Sequence, residues 1–202
     1  MSEDVVMRRT PKQRRGQERV TQILDAADRL IAQQGYAQVS TNGIAKEAQI
    51  SIGSVYQFFS NKEAVYLALA ERYVDKLNAV MTNAILLGED APPLSVQFNE
   101  LIDQLILFYK QNPGFQPLFF GSYATVASAD EIMCRMVDGM ESLLEPLSPV
   151  PIDCRLQAEV IMDTLKGTLP LITSDDELRN QLAVVEIKKL LLGYLQAIIV
   201  ED

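Results

Sequence analysis

Histidine and tryptophan are missing from this 202-residue chain, and cysteine occurs only twice. Without histidine there is no Ser-His-Asp or Cys-His relay and no histidine-ligated metal site. Cys134 and Cys154 are too few for a disulfide framework or a thiolate zinc site. No carboxylate, lysine or tyrosine pair stands at a spacing that suggests a reaction centre, so no catalytic residue, metal or cofactor is assigned and the chain reads as a non-enzyme. Long uncharged runs are also lacking. The most apolar window, Leu182 to Val200, is broken by Glu186, Lys188 and Lys189, charges that a membrane span of that length rarely carries. The first 19 residues are polar and basic, without the apolar stretch of a signal peptide. A soluble, cytoplasmic protein is expected. No alternating strand pattern, repeat or low-complexity run appears, which leaves an all-α chain of about nine helices.

Charge is unevenly placed. The net charge is −9, yet residues 1–62 hold nine Lys/Arg against six Asp/Glu, net +3, while the remainder holds nine against twenty-one, net −12. Arg8, Arg9, Lys12, Arg14, Arg15 and Arg19 crowd the first part. A basic end on an acidic body is the footprint of a chain that meets phosphate at one end. This divides the sequence into a basic arm and first domain, residues 1–62, and an acidic helical domain, residues 63–202.

The stretch Ser40 to Lys62 organises the first domain. Ser40 and Thr41 offer a hydroxyl cap to a short helix through Gln49, with Ile44, Ala45 and Ala48 as its small inner face. Ser51 caps a second helix from Ile52 to about Phe59, with Val55, Phe58 and Phe59 inward. Ser51, Ile52, Ser54 and Gln57 are left on its start and outer side. Two short helices around a tight turn are the layout of a helix-turn-helix, whose second helix enters the DNA major groove; a helical hairpin within an ordinary core has the same pattern.

Before it, a helix from Gly16 to Gln34 carries Val20, Ile23, Leu24, Ala27, Leu30 and Ile31 at helical spacing, with Gly35 as its stop. After it, Ser60 or Asn61 caps a helix from Lys62 to Leu87. Gly88 to Pro93 is a break. Helices follow at about Leu94 to Gln111, Asp130 to Glu145, Asp153 to Thr173 (bent by Pro170) and Ser174 to Val200. The stretch Phe115 to Tyr123, cut by Pro117 and Gly121, is too short for a long helix and too aromatic to lie in water.

The final helix is apolar at fourteen of nineteen positions from Leu182 to Val200, all round its circumference. One face covers its own domain and the other needs a partner. Val160 and Leu165 on the preceding helix, with Val184, Ile187, Leu191, Tyr194 and Ile198, are expected to form a two-fold homodimer interface. Candidate walls of a pocket in this domain are Phe98, Phe108, Phe115, Phe119, Tyr123, Met133, Met136 and Met162, with Gln104 or Asp163 for a polar contact. A pocket of that composition favours a small apolar ligand.

Gly35-Tyr36, Thr41, Ile44-Ala45, Ala48, Ile50-Ser51, Gly53, Val55-Tyr56, Phe59 and Lys62-Glu63 resemble, in order and spacing, the DNA-binding segment of the TetR family of bacterial transcriptional regulators over about residues 17 to 66. The resemblance implies a ligand-responsive repressor that binds a palindromic operator as a dimer. It further implies that Thr41, Tyr56 and Lys62 hold phosphates, that Ile52 and Ser54 meet base edges, and that Asn42 and Gln57 stand where such contacts sometimes form. Arg14 and Arg15 join them from the basic arm. Gln49 departs from the family pattern, standing where glycine commonly makes the turn. Gly43 weakens the first helix, Phe58 replaces a common histidine, and Ile52 replaces a polar reader, although isoleucine can favour the thymine methyl. Two further readings remain open: a redox-responsive regulator using Cys134 and Cys154, and a protein-binding relative that has lost DNA recognition.

Overall fold

The computed structural model describes residues 14–82, 84–86, 88–119, 127–147 and 154–198, without the side chains of 119 and 127–132. Among the described residues it holds nine α-helices, three short 3-10 turns and no sheet: α1 Arg14–Gln34, α2 Thr41–Glu47, α3 Ile52–Phe58, α4 Lys62–Thr82, α5 Leu94–Gln111, α6 Phe115–Phe119, α7 Ala127–Leu144, α8 Cys154–Thr168 and α9 Glu177–Ile198. The 3-10 turns cover Tyr36–Gln38, Glu145–Leu147 and Leu169–Ile172. No helix among these residues is long and apolar enough to cross a membrane. By compactness the chain divides into one unit of Met1–Tyr73 with Asn112–Ile132 and another of Val74–Gln111 with Met133–Asp202. These units do not follow a cut at 62/63: α6 groups with the helix-turn-helix, and α4 contributes to both units.

In the first unit α1 stops where Gly35 takes φ 75° and its N–H closes on the Ile31 carbonyl at 2.9 Å. A side chain with a Cβ strains there, so glycine is the cheap choice. The inward stripe of α1, Ile23, Leu24, Ala27 and Ile31, is buried, as are Ile44, Ala45, Val55, Phe58 and Phe59 of the two short helices. Asn61, rather than Ser60, caps α4 by accepting from the Ala64 N–H at 2.8 Å.

Burial of the short aromatic stretch is seen in Phe115 and Leu118. What holds it is polar. Asp28 of α1, a buried carboxylate, accepts through one oxygen from the Tyr73 hydroxyl of α4 at 2.7 Å and from the Gly114 N–H at 2.7 Å. Tyr66 donates to the Leu118 carbonyl at 2.9 Å, and the Tyr73 and Phe115 rings meet edge to face at 5.5 Å. A Cβ on Gly114 would lie 2.8 Å from the Asp28 carbonyl oxygen, so only glycine lets the chain approach so closely.

In the second unit α5 buries Phe98, Leu101, Ile102, Leu105, Phe108 and Tyr109, the face expected from their spacing. Its early Gln97 is buried too. The Gln97 amide donates to the Pro92 carbonyl at 2.7 Å and the Leu86 carbonyl at 3.2 Å, and accepts from the Leu86 N–H. A buried amide is tolerated because both ends are satisfied. Pro170 lies in the 3-10 turn that ends α8. The cap of α9 is Asp176, which accepts from the Arg179 N–H at 3.0 Å. Ser174, the sequence-derived start, instead donates its hydroxyl to Asn180 Oδ1 at 2.7 Å. The Asp153 cap expected for α8 lies outside the described residues.

Candidate nucleic-acid interface and body cavities

Two hydroxyl caps set the helix-turn-helix. Ser40 Oγ accepts from the Gly43 N–H at 3.1 Å and Ser51 Oγ from the Ser54 N–H at 3.1 Å. Between them the Ile50 N–H returns to the Ala45 carbonyl at 3.0 Å, and Gln22 of α1 donates its amide to the Ala48 carbonyl at 2.6 Å. A Cβ on Gly43 would come within 3.3 Å of Ser40 Oγ, so this glycine leaves the cap undisturbed despite its poor helix propensity. The turn requires φ 55° at Gln49, the one positive φ at a non-glycine position among the described residues. An L-residue in that region costs about 1 kcal/mol. Gln49→Gly is therefore expected to stabilise the protein by up to about 1 kcal/mol in urea unfolding, with the helix-turn-helix unchanged. A loss of stability would show that the Gln49 side chain contributes more than its backbone costs.

Of the residues expected from the sequence to meet DNA, the structure joins Thr41 to Tyr56 and Ser51 to Ser54. Thr41 Oγ1, at the start of α2, and the Tyr56 hydroxyl of α3 lie 3.2 Å apart in a hydrogen bond. The Tyr56 ring is 43% exposed. Asn42, Ser51 and Gln57 are exposed, while Ile52 and Ser54 are half-buried. Ser51 and Ser54 share a hydrogen bond of 2.8 Å between their hydroxyls, so Ser51 serves first as a cap. Arg14 and Arg15 are exposed, Arg14 pairing with Glu18 one turn on at 2.8 Å. The arm before Arg14, with Arg8, Arg9 and Lys12, lies outside the described residues.

Lys62 has company that its place in the sequence did not announce. Its ammonium donates to the Tyr36 carbonyl at 3.3 Å and sits 4.3 Å from the centre of the Tyr36 ring. That ring meets Tyr66 at 4.3 Å. Burial, then the Glu63 carboxylate at 3.5 Å, push the Tyr36 phenol up to about 12. Tyr36 thus stays neutral and presents its π face to the ammonium, an attraction available to any cation over an aromatic ring.

The body holds a cavity of about 590 Å³ lined from α4 and just beyond by Asn78, Met81, Thr82 and Ile85, and from α7 and the turn after it by Arg135, Asp138, Gly139, Ser142, Leu143 and Pro146. The two sets repeat at helical spacing, so each is one stripe of its helix. A second cavity of about 530 Å³ is lined by Ala79, Val80, Ala84, Glu100, Leu101, Asp103 and Gln104. Of the expected pocket residues only Gln104 lines either cavity. Phe98, Phe108, Phe115 and Met136 are buried as core, Met133 and Met162 are half-buried, and Asp163 is exposed. The two hollows have mixed linings, Met81, Ile85 and Leu143 beside Asn78, Asp138 and Ser142 in the first, and Val80 and Leu101 beside Glu100, Asp103 and Gln104 in the second. Tyr123 and the Phe119 side chain lie outside the described residues.

The residues expected at an α9 interface differ in their burial within a single chain. Ile187 and Leu191 are buried, Val184, Tyr194 and Ile198 half-buried, and Leu165 of α8 is buried as well. At 100° per residue these α9 positions centre on the helix face that packs inward. The exposed apolar stripe is the opposite one, Leu178, Leu182 and Val185, and on α8 Leu156 and Val160 are exposed as well. Cys134 is exposed and Cys154 half-buried, and both thiols are free.

Comparison with known proteins gives this architecture its kin. Residues 23–69 match the profile described as bacterial regulatory proteins of the tetR family, and residues 93–195 match that of the tetracyclin repressor-like C-terminal domain. An uncharacterised HTH-type transcriptional regulator of Haemophilus influenzae is 29% identical over 46% of this chain and 48% of its own length. The nucleoid occlusion factor SlmA of Haemophilus ducreyi is 30% identical over 61% of each chain. The chain thus spans about half of the first of these curated relatives and about three-fifths of the second. Among solved structures, a TetR-family transcriptional regulator from Streptomyces coelicolor superposes with a TM-score of 0.63 at 26% identity, covering 92% of this chain and 99% of that one. With the helix-turn-helix in its first part and more than half the chain matched by the second profile, the protein belongs to the TetR family of bacterial transcriptional regulators.

Proposed function

We propose that the protein is a ligand-responsive repressor that binds a palindromic DNA operator as a homodimer. The observation that carries this is the hydrogen bond between Thr41 and Tyr56: it holds the hydroxyl at the start of α2 and the phenol of α3 on one exposed edge, where the one whose proton is not used in that bond can donate to a phosphate. Around them Asn42, Ile52, Ser54 and Gln57 supply hydrogen-bonding and methyl contacts for base edges. No arginine stands in α3, so the bidentate guanine contact is absent, and affinity rests on phosphates and on duplex shape. Two recognition helices in a dimer read half-sites about 34–36 Å apart. The dimer forms through the exposed apolar stripes of α8 and α9. An effector occupies the body beside the last turns of α4, and because α4 begins at Lys62 a displacement there is carried to the phosphate-binding end of the same helix. A coupling of about 1–3 kcal/mol suffices for a sizeable change in operator occupancy.

The test is selection from a random duplex pool, followed by a salt titration on the enriched site. A near-palindrome should emerge. Failure to enrich any duplex would favour a relative that binds only protein. Lys62→Ala should weaken binding to every duplex about equally and lower the slope of log affinity against log salt by roughly one unit. If the slope does not move, the Lys62 ammonium stays on Tyr36 in the complex and is structural.

A further inference from the structure

We propose that Tyr36 is a positioning residue for DNA binding: its ring and carbonyl form a seat from which the Lys62 ammonium meets a backbone phosphate, and the ammonium keeps that seat in the complex. This rests on the reading of Lys62 as a phosphate contact and adds the residue that sets its geometry.

Lys62 is poorly placed for the fold alone. It is the first residue of α4, where a cation faces the positive end of the helix dipole. The helix start already has its cap in Asn61, and Glu63 supplies the negative charge that this end favours. What offsets the poor placement is Tyr36. The ammonium donates to the Tyr36 carbonyl at 3.3 Å and stands 4.3 Å from the ring centre. Both contacts are neutral, so the positive charge is held in place without being neutralised. Guanidinium groups of the same unit are treated differently: Arg14 pairs with Glu18, Arg29 with Glu47 and Arg72 with Asp25. An ammonium has three N–H donors. The carbonyl takes one, and the others are left for a phosphate oxygen.

The seat is itself braced. Tyr36 lies in the 3-10 turn after α1. Tyr66, one turn beyond Lys62 on α4, is buried and meets the Tyr36 ring at 4.3 Å, edge to face. The Tyr66 hydroxyl is tied in turn to the Leu118 carbonyl at 2.9 Å. A lysine side chain in water samples many rotamers, and that freedom is lost when it binds. On a fixed ring much of it is already lost in the free protein, so less of the phosphate contact is cancelled by ordering.

The test uses the full-length protein with the enriched duplex and, beside it, an unselected one. Tyr36→Phe keeps the ring and should bind within about twofold of the unaltered protein. Tyr36→Leu removes the ring and leaves the backbone carbonyl. It should weaken binding to both duplexes by about fivefold with the salt slope unchanged, because the charge is still present. In a Lys62→Ala background the same change should matter by less than about twofold. A ring that served only packing would give an equal loss in both backgrounds. That result overturns the proposal, as does tighter binding by Tyr36→Leu. A second measurement needs no variant. The ring current of Tyr36 moves the Lys62 ε-methylene proton resonances upfield, and they should stay there when duplex is added. Their return to ordinary positions shows the ammonium leaving the ring and overturns the proposal, even where Tyr36→Leu fails to fold. An unmoved salt slope in Lys62→Ala removes the phosphate reading and this proposal together. A slope lowered by about one unit, with no coupling between the two positions, removes only this proposal.

Discussion

Leu182→Glu is expected to turn the protein into a monomer and to lower operator affinity by at least about a hundredfold. Leu182 is 59% exposed in a single chain, so the substitution leaves the fold of one protomer nearly untouched. In a two-fold dimer through α8 and α9 the same position is covered, and two copies of an unpaired carboxylate enter one apolar interface. Leaving a buried charge without a partner costs about 3–5 kcal/mol, enough to dissociate a dimer at working concentrations. A monomer presents one recognition helix, and half of the phosphate contacts go with the other. The control is Leu191→Glu. Leu191 is 3% exposed within one chain, so its glutamate should destabilise the protomer itself and appear as a lowered melting temperature. Sedimentation separates the two cases. If Leu182→Glu remains a dimer, the interface lies on another face.

That pair of leucines also marks the limit of what periodicity can tell. A helix that is apolar all round has no polar side to announce which stripe faces home, so the inward stripe of α9 was legible as a stripe but not as inward. The helix-turn-helix was readable because its signals are local: Ser40 and Ser51 as caps, Ala45 and Ala48 as the close crossing, and the positive φ at Gln49 from the family pattern. The face of α5 was readable for the same reason. Contacts between residues distant in sequence were not. Asp28 looked like one more polar residue on α1, and only the fold brings it to Tyr73 and to Gly114, 86 residues on. Gln97 and Asn180 carry no sign in the sequence that their amides are buried staples. The cavities were missed because composition points to large apolar side chains, which pack, whereas the hollow beside α7 mixes Asn78, Thr82, Asp138 and Ser142 with Met81, Ile85 and Leu143.

Asp28→Ala should be the most destabilising single change in the unit that carries the helix-turn-helix, at about 3–6 kcal/mol in urea unfolding. One carboxylate oxygen takes two donors, each hydrogen bond to a charged group being worth about 1.5–3 kcal/mol. Alanine removes both at once and leaves the Tyr73 hydroxyl and the Gly114 N–H buried. Neither donor can escape by ionising: burial and then the Asp28 carboxylate hold the Tyr73 phenol far above its ordinary value. Asp28→Asn keeps the shape and an acceptor oxygen, so it should lose less than half as much. Tyr73→Phe removes one donor and keeps its ring against Phe115. The double variant Asp28→Ala with Tyr73→Phe should then cost less than the two single losses together, because the second change no longer strands a partner. Operator affinity of the folded fraction is expected to fall as well, since the clasp fixes α1 against α4, whose first residue is Lys62. A loss below about 1 kcal/mol for Asp28→Ala would mean that water replaces the carboxylate, and that the burial of Phe115 and Leu118 alone fixes the chain at Gly114.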